Sequence, residues 1–268
     1  MRPVLLVALA LAAAAGGLLA PSCTSDHARS ALPTRAERFE EGRAWIHLED
    51  LCRLGPAGNG LPGHERVGDY LRRCLRSTGA IVRDVPFTHV RTGELETRQL
   101  VNISARYGPP DAKTWILLGT HYDTRLWAEK DEVEARRDQP IQGANDGCSG
   151  TAVLLEVARV LGEAPPEIGV EIVFFDGEDF GRPDHIQTDY FLGSRHLFRR
   201  LRELHPEGPP ACVVVLDMVG DADLSFRRDG SAELSYRWLN DRLWQAARDL
   251  GQPEFSGDAP LDVTDDHT

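Results

Sequence analysis

The chain has 268 residues, of which 41% are hydrophobic and 27% are charged, as in a soluble globular protein large enough for one α/β domain. The formal net charge is -12, and because an acidic surface repels phosphate backbones we exclude nucleic acid as a partner. The five cysteines include no Cys-x-x-Cys pair, which argues against a structural zinc held by thiolates.

The N-terminal residues have the pattern of a targeting segment. After Arg2, an apolar run extends from Val4 to Ala20, which is the length of a signal-peptide core. We expect residues 1–22 to be a signal peptide and residues 23–35 a polar tether, so the protein is expected to be exported to the periplasm, the medium or a membrane surface. Three outcomes stay open for Cys23: lipidation, which would tether the chain to a membrane, ordinary cleavage, and an uncleaved anchor.

Two helices and two strands are predicted next in chain order. Apolar residues recur at helical spacing over 36–54 and 64–78, on either side of a Gly/Pro-rich loop. Strands follow over 81–90 and 95–107 around a short turn. Cys52 and Cys74 fall on the packing faces of the two helices, where a disulfide and two free thiols are both open alternatives.

From Trp115 onward, short apolar runs alternate with helical stretches. The runs are Trp115–Leu118, Val170–Phe175 and Cys212–Leu216, and the helical stretches are Ser149–Leu161 and Asp189–Leu204. This alternation predicts an α/β fold with a mixed, mostly parallel central sheet and helices on both faces. Because no repeat or long linker interrupts the chain, residues 36–268 are predicted to form a single domain.

Each of the three apolar strands ends in ionisable residues. These are His121 and Asp123, then Asp176, Glu178 and Asp179, then Asp217. Ligands of open α/β sheets bind beyond the carboxyl ends of the strands, and crowded carboxylates repel one another unless a cation joins them. With Asp146 in a Gly-rich loop, histidine and carboxylates without thiolates predict a catalytic zinc site. Taken singly, each acid also suits a helix cap or a turn.

Six motifs, in chain order, resemble those of the M28 metallopeptidase superfamily, and they are closest to those of glutaminyl-peptide cyclotransferases (glutaminyl cyclases). The motifs are His121-Tyr-Asp-Thr-Arg125, Gly143-Ala-Asn-Asp-Gly147, Phe174-Phe-Asp-Gly-Glu-Asp179, Leu192-Gly-Ser-Arg-His-Leu197, Leu216-Asp-Met-Val-Gly220 and Asp265-Asp-His267. The resemblance covers residue 36 to the end. It implies an α/β zinc enzyme whose substrates are peptide or protein N-termini.

The resemblance also implies roles for individual residues. Asp146 and Asp179 match zinc ligands, and Glu178 matches the general acid and base. Aminopeptidases of the superfamily use two zinc ions, with His121 and Asp217 matching ligands of the second. Cyclases use one zinc, and there Asp217 joins a proton network. The predicted metal residues are therefore Asp146, Asp179 and His121, and the predicted catalytic residues are Glu178, Asp217 and Asp265.

The Asp265-Asp-His267 motif favours the cyclase branch, because peptidases of the group have Ser in place of Asp265. The predicted reaction converts N-terminal glutamine to pyroglutamate and releases ammonia. The alternatives are a zinc aminopeptidase and a non-catalytic, peptide-binding surface lipoprotein. The resemblance places one more His ligand beyond this motif, so we expect the domain to be incomplete at Thr268 and its zinc binding to be weak. The sequence predicts neither the substrate peptides nor the oligomeric state.

Overall fold

The computed structural model describes residues 35–255, 257–261 and 263–267. The expected signal peptide and residues 23–34 of the tether lie outside these ranges, and export therefore stays a prediction. The helices are α1 (Arg35–Arg38), α2 (Glu41–Leu54), α3 (Pro62–Ser77), α4 (Cys148–Glu163), α5 (Ile186–Asp189), α6 (Leu192–Arg199), α7 (Leu201–Leu204), α8 (Gly230–Ser235) and α9 (Arg237–Asp249), with short 3-10 turns at Glu134–Arg136 and Pro183–His185. Within the described residues, none of the helices is both long enough and apolar enough to span a membrane.

The strands form one five-stranded sheet and one two-stranded sheet. They are β1 (Ile81–Val90), β2 (Thr97–Tyr107), β3 (Trp115–His121), β4 (Gly169–Phe175), β5 (Val213–Val215), β6 (Arg227–Asp229) and β7 (Gly257–Leu261). The large sheet has the order β1-β2-β4-β3-β5, and β6 pairs with β7. β4, β3 and β5 are mutually parallel, whereas β1, β2 and β4 pair antiparallel. The mixed sheet confirms the predicted fold class, with its parallel pairs in the half that carries the ionisable residues.

Helices cover both faces of the sheet. Successive side chains of a strand point to opposite faces. On β3, Ile116 and Leu118 therefore join the apolar cluster that contains residues of α2, α3 and α4. Trp115 and Leu117 point the other way and pack with Leu197 of α6. Since both faces are covered, every residue of β3 and β4 is buried, which explains the continuous apolar runs in the sequence.

Most elements lie where the sequence pattern predicts them, and β1 has the predicted bounds. The helix predicted over 189–204 is instead divided into the end of α5, α6 and α7. The division falls at Phe191, whose φ of 56° is left-handed and cannot continue a helix. The elements after Asp217 were not predicted, because that stretch has no strong apolar period.

Cys52, Cys74, Cys148 and Cys212 are all free thiols, so the disulfide considered between Cys52 and Cys74 is not formed. The thiol of Cys52 has the thiol of Cys148 on α4 as its neighbour, and the two interact. The thiol of Cys74 has Tyr70 as its partner. The neighbour of Cys52 therefore lies on α4, a helix far away in the sequence.

Candidate active site

The predicted site residues meet at the carboxyl ends of the parallel strands. His121 is the last residue of β3, and it is almost completely buried. Its Nε2 lies 3.0 Å from Asp146 Oδ1 and 3.1 Å from Asp217 Oδ1. On the other side of the ring, Nδ1 lies 3.0 Å from the carbonyl oxygen of Asp123. The imidazole therefore contacts both ends of the connection from β3 to α4, at Asp123 and Asp146, and the loop after β5, at Asp217.

Among the residues that the structure describes, two overlapping groups of donor atoms can hold a metal ion. One atom from each of Asp146, Glu178 and Asp179 lies within 4.8 Å of the others, and the same holds for His121, Asp146 and Asp217. The carboxylates of Asp146 and Asp179, both predicted metal residues, therefore lie close enough to share one ion. Carboxylates brought this close are stabilised by a cation, and one imidazole among them suits zinc better than calcium or magnesium. The residues thus fit the predicted metal.

The loop Gly143–Gly147, here called the Asp146 loop, is held by the backbone. Cys148 donates its N–H to the carbonyl of Gly143 at 3.0 Å. Gly147 has a φ of +85°, and a Cβ there would lie 2.7 Å from the carbonyl oxygen of Asp123. Gly147 occupies the N-cap position of α4, with no side-chain cap. The alternative that Asp146 is merely a helix cap is therefore wrong, since its carboxylate contacts His121.

The turn after β4 is fixed from two sides. The buried carboxylate of Asp123 accepts the backbone N–H groups of Glu178 at 3.0 Å and Asp179 at 3.2 Å. On the opposite side, Phe191 donates its N–H to the carbonyl of Glu178 at 3.1 Å. Phe191 is buried, so the left-handed backbone at this position is held by the surrounding packing. These contacts set the direction in which Glu178 and Asp179 point.

Burial and mutual repulsion raise the pKa of several carboxyl groups of the site, whereas the His121 imidazole lowers that of Asp146 despite its burial. Burial raises the pKa of Glu178 well above its usual range, and the nearby carboxylates of Asp266 and Asp179 add to the shift. Burial also raises the pKa of Asp179 to about 7 and that of Asp266 to about 7. Burial opposes a charge on His121, but the surrounding carboxylates, Glu178 first, raise its pKa well above the usual value.

The second acid of the Asp265-Asp-His267 motif faces the interior. Asp266 is buried, and its Oδ1 accepts a hydrogen bond from the hydroxyl of Ser194 at 2.6 Å. Asp265 Oδ1 accepts the N–H of Asp266 at 2.5 Å. Burial raises the pKa of Asp265, with the charge of Asp217 as the next cause. Asp265 therefore lies close enough to Asp217 to interact with it, as the sequence prediction requires.

Arg125 was not predicted as a site residue. Its Nη1 donates to the Oδ1 of Asp179, and its Nε lies 2.9 and 3.0 Å from the two carboxylate oxygens of Glu129. Arg125 also lines a cavity of about 610 Å³, together with Tyr190, Asp146 and Asp179. A substrate that reaches the predicted metal residues can enter here. The only signal in the sequence was that Arg125 ends the His121-Tyr-Asp-Thr-Arg motif.

His64 lies outside the predicted site residues, yet it supports the turn that carries Glu178. Its Nε2 lies 2.8 Å from Asp176 Oδ1, and its ring stacks on that of Tyr122 at a centroid distance of 5.4 Å. Asp176 is completely buried, and its second oxygen accepts the N–H of Val101 at 2.8 Å. His64 therefore anchors the start of the turn that carries Glu178. The pairing joins residues far apart in the sequence, so no local pattern signalled it.

Comparison with known proteins places this geometry in a family. The model of peptidase family M28 matches residues 102–268. An uncharacterised protein of Escherichia coli (strain K12), YfbL, is 32% identical over 160 residues, which is 59% of this chain. The chain spans 42% of the length of that relative.

Solved structures match over most of the chain. The glutaminyl cyclase of Porphyromonas gingivalis has a TM-score of 0.80 and 31% identity, covering 86% of this chain and 79% of its own. A Zn-dependent exopeptidase of Parabacteroides distasonis has a TM-score of 0.79 and 29% identity, covering 85% of this chain and 79% of its own. With the family model matching more than half of the residues, the chain belongs to peptidase family M28.

Proposed function

We propose that this protein is a zinc-dependent glutaminyl-peptide cyclotransferase, which converts the N-terminal glutamine of peptides to pyroglutamate and releases ammonia. The observation that carries the proposal is the acid Asp265 in the last motif, where peptidases of the group have serine, with Asp217 close enough to interact with it electrostatically. A carboxyl group at this position can accept and release a proton, whereas a serine hydroxyl does not ionise in the physiological pH range. The structural likeness to a glutaminyl cyclase supports the same reading.

Asp146 and Asp179 would hold the zinc of a cyclase, and His121, which meets Asp146 in the other donor group, would hold the second ion of an aminopeptidase. Zinc, when bound, supplies Lewis acidity that polarises the γ-carbonyl of the substrate glutamine. The Asp123 carboxylate and the Phe191 N–H keep the turn that carries Glu178 in position while the substrate binds. Arg125 stands at the cavity wall beside Asp179, where its guanidinium limits the negative charge that faces the substrate.

Glu178 carries the proton in the proposed reaction. Its carboxylate accepts a proton from the α-amino group as the nitrogen attacks the γ-carbonyl carbon, and it returns a proton to the leaving ammonia. Burial and neighbouring carboxylates raise its pKa, which makes the group a stronger proton acceptor than an exposed carboxylate. Asp217 and Asp265 lie beside His121 and order the acids around this transfer.

The test supplies one purified protein with a Gln-peptide and a Leu-amide in parallel reactions, with bound zinc counted per chain. A cyclase removes ammonia from the Gln-peptide and leaves the Leu-amide intact. The Asp265→Asn variant should lose most of this turnover while its melting temperature stays close to that of the parent. Hydrolysis of the Leu-amide without cyclisation would refute the cyclase assignment.

An aminopeptidase is the second candidate, and one observation favours it. His121, Asp146 and Asp217 form a complete second donor group that shares Asp146 with the first. Two shared-ligand ions are the pattern of hydrolases that cleave peptide bonds with metal assistance. Two zinc ions per chain together with Leu-amide hydrolysis would support this candidate. Binding of peptides with no turnover of either substrate would favour the third alternative, a non-catalytic binding protein.

A further inference from the structure

We propose that Cys52 and Cys148 are a site of disulfide formation that ties α2 to the N-terminus of α4, directly behind the Asp146 loop. The two thiols lie close enough to interact, since each shifts the pKa of the other. The two sulfurs come from α2 and α4, which both contribute to the main apolar cluster. The inference does not depend on which reaction the enzyme performs.

The backbone around the pair is held on both sides. Gln142, next to the Asp146 loop, donates its Nε2 hydrogen to the carbonyl of Cys52 at 2.9 Å. Cys148 donates its N–H to Gly143 within the same loop at 3.0 Å. Closure of a disulfide needs the two Cα atoms within about 7 Å, so a pair that already interacts needs little backbone movement. The other two described cysteines do not have a second thiol beside them. Cys74 interacts with Tyr70, and the pKa of Cys212 is raised by burial alone.

The two thiols differ in solvent exposure, and this difference determines which one reacts first with an oxidant. Cys52 is half-buried, whereas Cys148 is buried. The interaction with Cys148 lowers the pKa of the Cys52 thiol, which favours the reactive thiolate on the more exposed of the two sulfurs. Cys52 is therefore the sulfur that an oxidant in solution reaches first.

The oxidant is a small disulfide such as oxidised glutathione. The Cys52 thiolate attacks one glutathione sulfur, the glutathione S–S bond breaks, and one glutathione leaves as its thiolate. Cys148 then loses its proton, attacks the Cys52 sulfur of the mixed disulfide and releases the second glutathione. Two electrons pass from the two cysteines to the oxidant, which ends as two thiols.

Peptide mapping tests the pairing because trypsin places the four described cysteines in different peptides. Cys52 lies in 44–53, Cys74 in 74–76, Cys148 in 138–159 and Cys212 in 203–227. The whole protein is incubated with reduced and oxidised glutathione at several ratios, remaining thiols are alkylated, and the digest is analysed by mass spectrometry. We expect 44–53 to be joined to 138–159, and we expect this link to disappear on reduction. Cys52→Ser should abolish it, and the control Cys74→Ser/Cys212→Ser should retain it.

Stability provides a second measurement on the parent protein alone. The link closes a loop of roughly 100 residues, so oxidation should raise the melting temperature by roughly 5–15 °C. The control double variant should show the same rise. Alkylation of both Cys52 and Cys148 after oxidation, or a link from 44–53 to 74–76, would overturn the proposal.

Discussion

At the scale of single residues, the site depends on two adjacent acids, Glu178 and Asp179, that have different surroundings. Burial and three neighbouring carboxylates raise the pKa of Glu178 well above its usual range. Asp179 is the next residue in the chain, but its carboxylate is paired with the guanidinium of Arg125. Two adjacent acids in different environments can take different roles, one in proton transfer and one in metal binding.

Glu178→Gln tests the first role. The amide keeps the shape but can no longer accept a proton, so kcat should fall by about 10²–10⁴-fold. Zinc content and melting temperature should stay close to those of the parent, and Glu132→Gln on an exposed loop is the matched control. A kcat within a small factor of the parent would show that another group carries the proton.

Asp123→Asn tests the positioning of the turn after β4. An aspartate accepts the N–H groups of both Glu178 and Asp179, whereas asparagine offers one acceptor oxygen and directs N–H groups at the second donor. We expect a loss of about 1–3 kcal/mol in the free energy of unfolding and weaker zinc binding by about 10-fold. Asp138→Asn, on an exposed loop, should change neither. Unchanged urea unfolding of the Asp123 variant would contradict the positioning role.

At the scale of elements, the site is made of the connections after strands and before α4. Sequence patterns placed the strands well because β3 and β4 are covered on both faces and their apolar runs are continuous. The convergence of His121 with Asp217 followed from strand ends alone, since parallel neighbours deliver their loops to one edge. Phe191 could not be predicted as a break, because its left-handed backbone is imposed by tertiary packing and no glycine or proline marks it.

Gly147→Ala tests the close approach that shapes the Asp146 loop. Gly79 offers a matched control, because its φ of +79° resembles the +85° of Gly147 but a Cβ there meets nothing within 4 Å. Gly79→Ala should therefore cost about 1 kcal/mol from backbone strain alone. Gly147→Ala should cost about 3 kcal/mol and lose most zinc binding, because the added methyl collides with the Asp123 carbonyl. Equal losses in the two variants, measured by urea unfolding, would contradict the close-approach argument.

At the scale of the whole molecule, the proton-holding carboxyls predict how the metal-free protein responds to pH. The pKa values of Asp179 and Asp266 are raised to about 7, mainly by burial, from unfolded values near 4. A raised folded-state pKa stabilises the fold fully below the unfolded pKa, and this stabilisation is lost as pH rises to the folded pKa. The free energy of unfolding should therefore fall between pH 4 and 7, with each group contributing up to about 1.4 kcal/mol per pH unit.

Urea unfolding of the chelator-treated protein across this pH range measures the effect. Asp266→Asn removes one titrating group and should make the pH dependence shallower by up to about 1.4 kcal/mol per unit. Zinc should reduce the dependence further, because it binds the ionised carboxylates. A flat pH profile for the parent would mean that the buried acids are not protonated in the folded state.

The order of the donors along the chain has a consequence for how the protein matures. His121 and Asp146 lie at the two ends of the connection from β3 to α4, whereas Asp179 follows β4 and Asp217 follows β5, and only the assembled sheet brings all four to one edge. No short segment of the chain contains all four donor residues. A partly synthesised chain therefore has no local site that could bind the ion, unlike a zinc finger. Folding and metal acquisition are then successive events. The folded, unloaded protein is a species with its own lifetime, and the zinc concentration where folding finishes sets how long it persists.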